Sequence, residues 1–402
     1  MLTKKHLQKN IFDFLFALLI FVLPLSRALP NLIVALLILL FSISFKKELL
    51  KNYYKSPFFI LNILVLYLFL QALINNTFLQ DIGFYKKYFY LIIIPILFLK
   101  VKNLQLLKIS SIITINLTII ISIFKIINFY YYFKYIPFAD GWATNSVLHL
   151  ERPYAGIFSV ICVVLSFEQI ILKTKGKLLF IMSFLLSLLF IFFISIRISI
   201  ITLFILFVVY GVFYLKINWK KKVLFSTVLV LFFTIIFVLN KNLSKRFFLD
   251  NNLKKMVETT KKFEPRVVIW DCANTITEQD DFSMLFGTNS YSNIKLSLIK
   301  CYSESIADFS RRSWFLQHKF NTHSQFIDLF LIGGLISILL FLLFLIKSLV
   351  DNYYNFYTVA IFISFIMILF IENIFHRQFG CFIFTIFTSL FLRKNINLLK
   401  DD

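Results

Sequence analysis

His323 is the residue in this chain best placed to move a proton. It stands in Asn321-Thr322-His323-Ser324-Gln325-Phe326, at the end of the one long polar stretch, residues 241–324. An apolar run follows at once, with Gly333-Gly334 early in it. Imidazole changes charge near neutral pH, so at the mouth of a membrane helix it could accept a proton from a hydroxyl. A histidine at a helix start can also be a plain hydrogen bonder, and the residues around it separate the two roles.

Those residues include arginines. The lysine-rich connections described below use almost no arginine, whereas the opposite connections carry Arg27, Arg152, Arg197, Arg266, Arg311, Arg312 and Arg377. Lysine is enough to set topology. Arginine adds a planar donor fork that matches phosphate oxygens. Arg152, Arg197 and Arg377 fall at the ends of apolar runs, where a charge marks function or a water-filled cavity unless it only snorkels to head groups. Arg266 and Trp270 are four residues apart and share a helix face, with Trp270 expected as a buried anchor and Arg266 as an anion contact.

The elements that must position these groups are membrane helices. Of the 402 residues, 59% are apolar and 53 are phenylalanine; the mean hydropathy is +0.84. Soluble proteins are typically ~45–50% apolar. Backbone in lipid must pair within its own segment, so long apolar runs predict an all-α polytopic bundle. Twelve runs qualify: 11–25, 29–45, 57–74, 84–99, 109–133, 153–172, 178–196, 198–215, 223–240, 325–346, 356–371 and 375–392. Residues 178–215 would make a helix of about 57 Å, nearly two membrane thicknesses, so they predict a hairpin with Arg197 near its tip.

Lys46, Lys47, Lys51 and Lys55, then Lys100, Lys102 and Lys108, Lys173 to Lys177 and Lys216 to Lys222 occupy alternate connections. The positive-inside rule makes that side cytoplasmic, with both termini, and puts residues 241–324 outside. The expected organisation is helices 1–9 in residues 1–240, the outer loop in 241–324, and helices 10–12 with a short tail in 325–402. Within the loop, Glu264-Pro265 reads as a helix start. The spacings of Val267, Trp270 and Ala273, and of Ile294, Leu298 and Tyr302, predict short helices across the outer face.

The net charge of +22 would suggest nucleic acid in a soluble protein. Here the lysines lie between apolar runs, and no nucleic-acid partner is expected. Cys272 and Cys301 share the outer loop and would pair in an oxidising compartment; their spacing leaves the paired and free states both open. There is no metal-ligand motif, P-loop or dinucleotide fingerprint, so neither a metal nor a cofactor is expected.

Ser195-Ile196-Arg197-Ile198-Ser199 between two runs, Arg266 with Trp270, Gly287 after Leu285-Phe286, and His323-Ser324-Gln325-Phe326 followed by Gly333-Gly334 together resemble the O-antigen ligase family of bacterial membrane glycosyltransferases. Ser324 stands where the family has asparagine, and Gly287-Thr288-Asn289 is a reduced form of its glycine-rich motif. The resemblance implies a C-type glycosyltransferase-like fold in the bacterial inner membrane with a periplasmic loop. It implies an undecaprenyl-diphosphate-linked glycan as donor and a sugar hydroxyl of lipid A–core, or another glycan, as acceptor. His323 would be the catalytic base. Arg197 and Arg266, with Arg152 and Arg377 behind them, would bind the diphosphate, and Trp270, Gly287 and Gly333 would support the site.

An O-antigen polymerase would use the same donor with a second glycan as acceptor. A protein-glycosylating oligosaccharyltransferase of the same superfamily would often carry a further C-terminal region. A transporter or flippase would predict inverted repeats and broken or polar helices. Neither is evident in the sequence, where Lys125 is read as the main charge inside a run.

Overall fold

The computed structural model describes residues 4–45, 47–138, 141–239, 264–288 and 290–398. Among these residues the chain is helical and has no strand; one isolated bridge joins Ser283 and Gly287. A helix stands on each of the twelve apolar runs. In chain order these are α1 (Lys4–Val22), α2 (Leu29–Ile43), α4 (Pro57–Ile74), α5 (Ile82–Phe98), α6 (Leu104–Phe133), α8 (Arg152–Ile171), α9 (Lys177–Phe193), α10 (Arg197–Val209), α11 (Trp219–Leu239), α15 (Gln325–Val350), α16 (Phe356–Leu369) and α17 (Gln378–Leu398). Two short helices, α3 (Glu48–Tyr53) and α7 (Gly141–Val147), lie between them. Among the described residues, five helices are long and apolar enough to cross a membrane: α4, α6, α8, α10 extended to Tyr214, and α15.

The long polar stretch folds from residue 264 as α12 (Pro265–Thr277), α13 (Tyr291–Ser305) and α14 (Phe309–His318); residues 241–263 and 289 of the expected loop lie outside the described residues. Its helix starts follow local chemistry. Pro265 occupies the first turn of α12, where a missing N–H costs nothing. Ser290 caps α13 by accepting from the Asn293 N–H, and Asp308 caps α14 by accepting from that of Arg311. Asp81 adds a carboxylate at the start of α13, accepting from the Tyr291 N–H (2.8 Å) and the Ser292 N–H (2.9 Å). A disulfide joins Cys272 of α12 to Cys301 of α13, so of the two states left open by the sequence the paired one is found.

The helices form two compact units. The first contains α1, α2, α6 to α11 and most of α16; in it α8 packs on α9 and α1 on α6. The second contains α3 to α5, α12 to α15 and α17; in it α15 packs on α4, α17 on α5 and α12 on α13.

Contrary to the sequence reading, one membrane-length helix is broken. Gly334 in α15 takes φ +64° and ψ −160°, a conformation that favours glycine. The hydrogen bonds lost at the break are replaced from outside the helix. The Leu335 N–H donates to the Met284 carbonyl (3.0 Å) and the Ile336 N–H to that of Leu285 (3.4 Å), while the Leu331 carbonyl accepts from the Thr288 N–H (2.8 Å).

Candidate active site

His323 lies in the short link between α14 and α15, with a left-handed φ of 45°. Non-glycine residues hold that conformation only when their surroundings enforce it, and such residues cluster at functional sites. Here the His323 N–H donates to Asn321 Oδ1 (3.1 Å), and ring Nδ1 meets Glu372 Oε2 at 3.3 Å. Glu372 follows α16, just ahead of the single turn Ile374–His376.

Burial by itself would raise the Glu372 carboxyl pKa. The hydrogen bond and charge of His323, followed by the charges of Arg266 and Arg377, more than offset this and hold it below the ordinary carboxylate value. Glu372 is therefore ionised at neutral pH and accepts from Nδ1–H of His323. When the ring is neutral, this arrangement leaves the lone pair on Nε2, as a general base needs. Among the described residues, Nε2 makes no hydrogen bond.

Arg266, in the first turn of α12, is tied to the same carboxylate. Its Nη1 meets Glu264 Oε1 at 2.8 Å, its Nη2 lies 4.0 Å from Glu372 Oε2, and its Nε donates to the Ile371 carbonyl (3.3 Å). Trp270, one turn on, donates its indole N–H to the Thr322 carbonyl (3.0 Å). It is 38% exposed, which corrects the expectation of a buried anchor. An indole needs only its N–H end fixed, and here the ring stays at the rim.

Behind His323 the link is fastened to the turn after α16. Asn373 Nδ2 donates to Thr322 Oγ1 (2.6 Å), and the Phe375 N–H donates to Gln325 Oε1 (3.0 Å). His376 Nε2 meets Asp328 Oδ2 at 2.6 Å, and Asp328 Oδ1 lies 3.4 Å from Thr322 Oγ1. Sequence reasoning missed Glu372 and Asp328. The available signal was an acidic residue inside or at the end of an apolar run, which is costly without a partner. Asp328 is fully buried in α15, so it displaces Lys125 as the main charge inside a run.

The remaining expected site residues are distributed as follows. Arg377 is in the second unit, where its positive charge acts on Glu372. Gly287 takes φ +71°, and a Cβ there would come within 2.5 Å of the Leu331 carbonyl oxygen. A Cβ on Gly333 would come within 2.6 Å of Leu68, and the Gly333 carbonyl accepts from the Tyr67 hydroxyl (2.9 Å). Arg152 and Arg197 belong to the first unit. Arg197 opens α10 directly after a tight turn in which Ser195 has φ 51°. Arg152 is buried against that turn, donating to the carbonyls of Ile194 and Ser195 and to that of Phe138. Its guanidinium fork is directed at backbone oxygens.

A search of curated proteins finds no match. Residues 182–345 match a family model described as O-antigen ligase. That span runs from α9 into α15 and takes in Arg197, Arg266, Trp270, Gly287, His323 and Gly333, while Arg152, Glu372 and Arg377 lie outside it. By this match residues 182–345 of the chain are similar to the O-antigen ligase family.

Proposed function

We propose that the protein is a metal-independent glycosyltransferase that moves a glycan en bloc from undecaprenyl diphosphate to a sugar hydroxyl of lipid A–core, at the periplasmic face of the bacterial inner membrane. The observation that carries this reading is His323, with Nδ1 on an ionised, buried Glu372 and with Arg266 and Arg377 beside that carboxylate. The acceptor hydroxyl gives its proton to His323 Nε2 as its oxygen bonds to the anomeric carbon of the donor's first sugar. The bond from that carbon to the diphosphate breaks, and its electron pair stays on the phosphate oxygen. Glu372 stabilises the imidazolium that forms. Arg266 binds the diphosphate and stabilises its growing charge, with Arg377 adding positive field. Arg152, already committed to carbonyls, holds the turn that precedes Arg197.

Twelve helices on twelve runs fit a twelve-span arrangement with both termini cytoplasmic. The Cys272–Cys301 disulfide supports an outer stretch in an oxidising compartment. The broken α15 is a feature a transporter would use to expose backbone groups to an ion. In this chain residues 284–288 pair with those groups, which favours the enzyme.

The test is surface lipopolysaccharide, resolved on a gel, from a deletion strain complemented with wild type or His323→Ala. With the variant, long-chain bands should vanish while polymer accumulates on its lipid carrier. Single-repeat caps on lipid A–core would instead assign the polymerase reaction. An unchanged profile would exclude both lipopolysaccharide roles.

A further inference from the structure

Residues 283–288, Ser-Met-Leu-Phe-Gly-Thr, belong by sequence to the outer polar stretch. Their hydrogen bonding is not that of an aqueous loop. Ser283 and Gly287 exchange N–H to carbonyl bonds (3.2 and 2.6 Å). The carbonyls of Met284 and Leu285 are taken by α15, and that of Phe286 by Gln71 Nε2 (3.1 Å). The Phe286 N–H donates to Ser283 Oγ (3.3 Å), and the Thr288 N–H to the Leu331 carbonyl. While the backbone is turned inward, the side chains of Met284, Leu285 and Phe286 are 60%, 53% and 46% exposed. An aqueous loop has the opposite pattern, with apolar groups covered and backbone left to water.

Depth supplies the second argument. The loop bonds to Leu331, Leu335 and Ile336, six to eleven residues after the first residue of α15. At a rise of ~1.5 Å per residue this is roughly 9–17 Å along the helix, well inside a hydrocarbon core ~30 Å thick. With a hydropathy of 3.1, α15 is the most apolar of the five membrane-length helices. Irregular backbone is tolerated at membrane depth where protein satisfies its polar groups; here the carbonyls of residues 283–287 and the N–H groups of Ser283, Phe286, Gly287 and Thr288 are paired within the protein.

We propose that residues 283–288 form a re-entrant loop seated in the bilayer, with Met284, Leu285 and Phe286 docked against lipid acyl chains. The outer stretch would then enter the membrane between α12 and α13 and hold the Arg266 helix at the surface. The inference rests on α15 crossing a membrane and is independent of the reaction assigned to His323.

A nitroxide on Leu285→Cys, with the protein in phospholipid vesicles, tests it. Cys162 and Cys381 are buried and the other two cysteines are bridged, so labelled wild type provides the background. Collisions with dissolved oxygen should exceed those with a water-soluble nickel complex at least severalfold. A nitroxide on Asp280→Cys, an exposed position in the turn after α12, should show the reverse order. Greater access for nickel at position 285 would overturn the proposal by placing the tip in water. Exclusion of both reagents would overturn it as well, by placing the tip against protein. If Leu285→Cys does not fold, Met284→Cys gives the same reading.

Discussion

His323 with Glu372 and His376 with Asp328 are the same two chemical groups in two settings. The first pair is 3.3 Å apart, and the His323 side chain is 24% exposed. The second is 2.6 Å apart, with His376 8% and Asp328 1% exposed. The His376 ring is also walled by Tyr291 and Phe84, both edge-on at 4.8 and 5.3 Å between centroids. A carboxylate on one ring nitrogen fixes an imidazole in either case. The difference lies in the nitrogen left over and in what reaches it. On His323 that nitrogen is on a partly open ring held in a strained backbone conformation. On His376 the ring is enclosed, and the pair works as a fastening between α15 and the turn after α16.

The comparison is put at risk most strongly at His323. His323→Ala should lower transfer by about 10²–10⁴-fold, the range typical for a lost general base, with the amount of folded protein in the membrane unchanged. Transfer from purified lipid-linked donor, normalised to folded protein, is the readout. Near-normal turnover would move the base elsewhere.

Glu372→Gln should have the next largest effect, roughly 10²-fold or more on kcat with KM little changed, because the imidazolium loses its counter-charge and the ring its fixed tautomer. This substitution also has a pH signature. The folded-state pKa of Glu372 is lowered, so its stabilising contribution is complete above the ordinary carboxylate value, about 4.3, and is lost as pH falls from there through the lowered value. Wild type should lose Tm over that acid range more steeply than Glu372→Gln, in thermal melts followed in detergent. Parallel curves would detach Glu372 from the ion pair.

Arg266→Lys sharpens the picture further. A lysine keeps the charge near Glu372 but cannot hold Glu264, the Ile371 carbonyl and a diphosphate with one planar fork. We expect about a tenfold fall in kcat/KM for the lipid-linked donor. Unchanged kinetics would reduce Arg266 to a topological charge.

Much of the scaffold was legible from the chain. Apolar runs of membrane length specify helices whatever they pack against, and Ser195-Ile196-Arg197 marked a turn because one helix over 178–215 would be too long. Glu372 was not legible as a partner of His323, because the two are 49 residues apart and only the docking of the turn after α16 onto the link before α15 joins them. The break at Gly334 depends likewise on residues 284–288 arriving from elsewhere to take up its backbone groups. A glycine pair inside an apolar run does not announce that. The exposure of Trp270 escaped for a related reason: helical spacing gives the face a residue occupies, and the cover over that face comes from tertiary contacts.

The smallest change in turnover is expected at Asp328, where the contrast between the two pairs is sharpest. Asp328→Asn leaves His376 enclosed without its carboxylate and weakens the link to Thr322 Oγ1. Weakening a buried hydrogen bond so that one partner is left unsatisfied costs ~1–3 kcal/mol, so the folded amount and Tm should fall. The molecules that remain folded still hold Nδ1 of His323 on Glu372, and their turnover should stay within about twofold of wild type by the scale expected for a change remote from the reacting atoms. The measurement is specific activity per folded molecule beside melting temperature, for Asp328→Asn and Glu372→Gln together. If the two variants lost turnover equally at equal folded amounts, the distinction between a working pair and a fastening pair would fail, and both histidines would belong to one coupled centre.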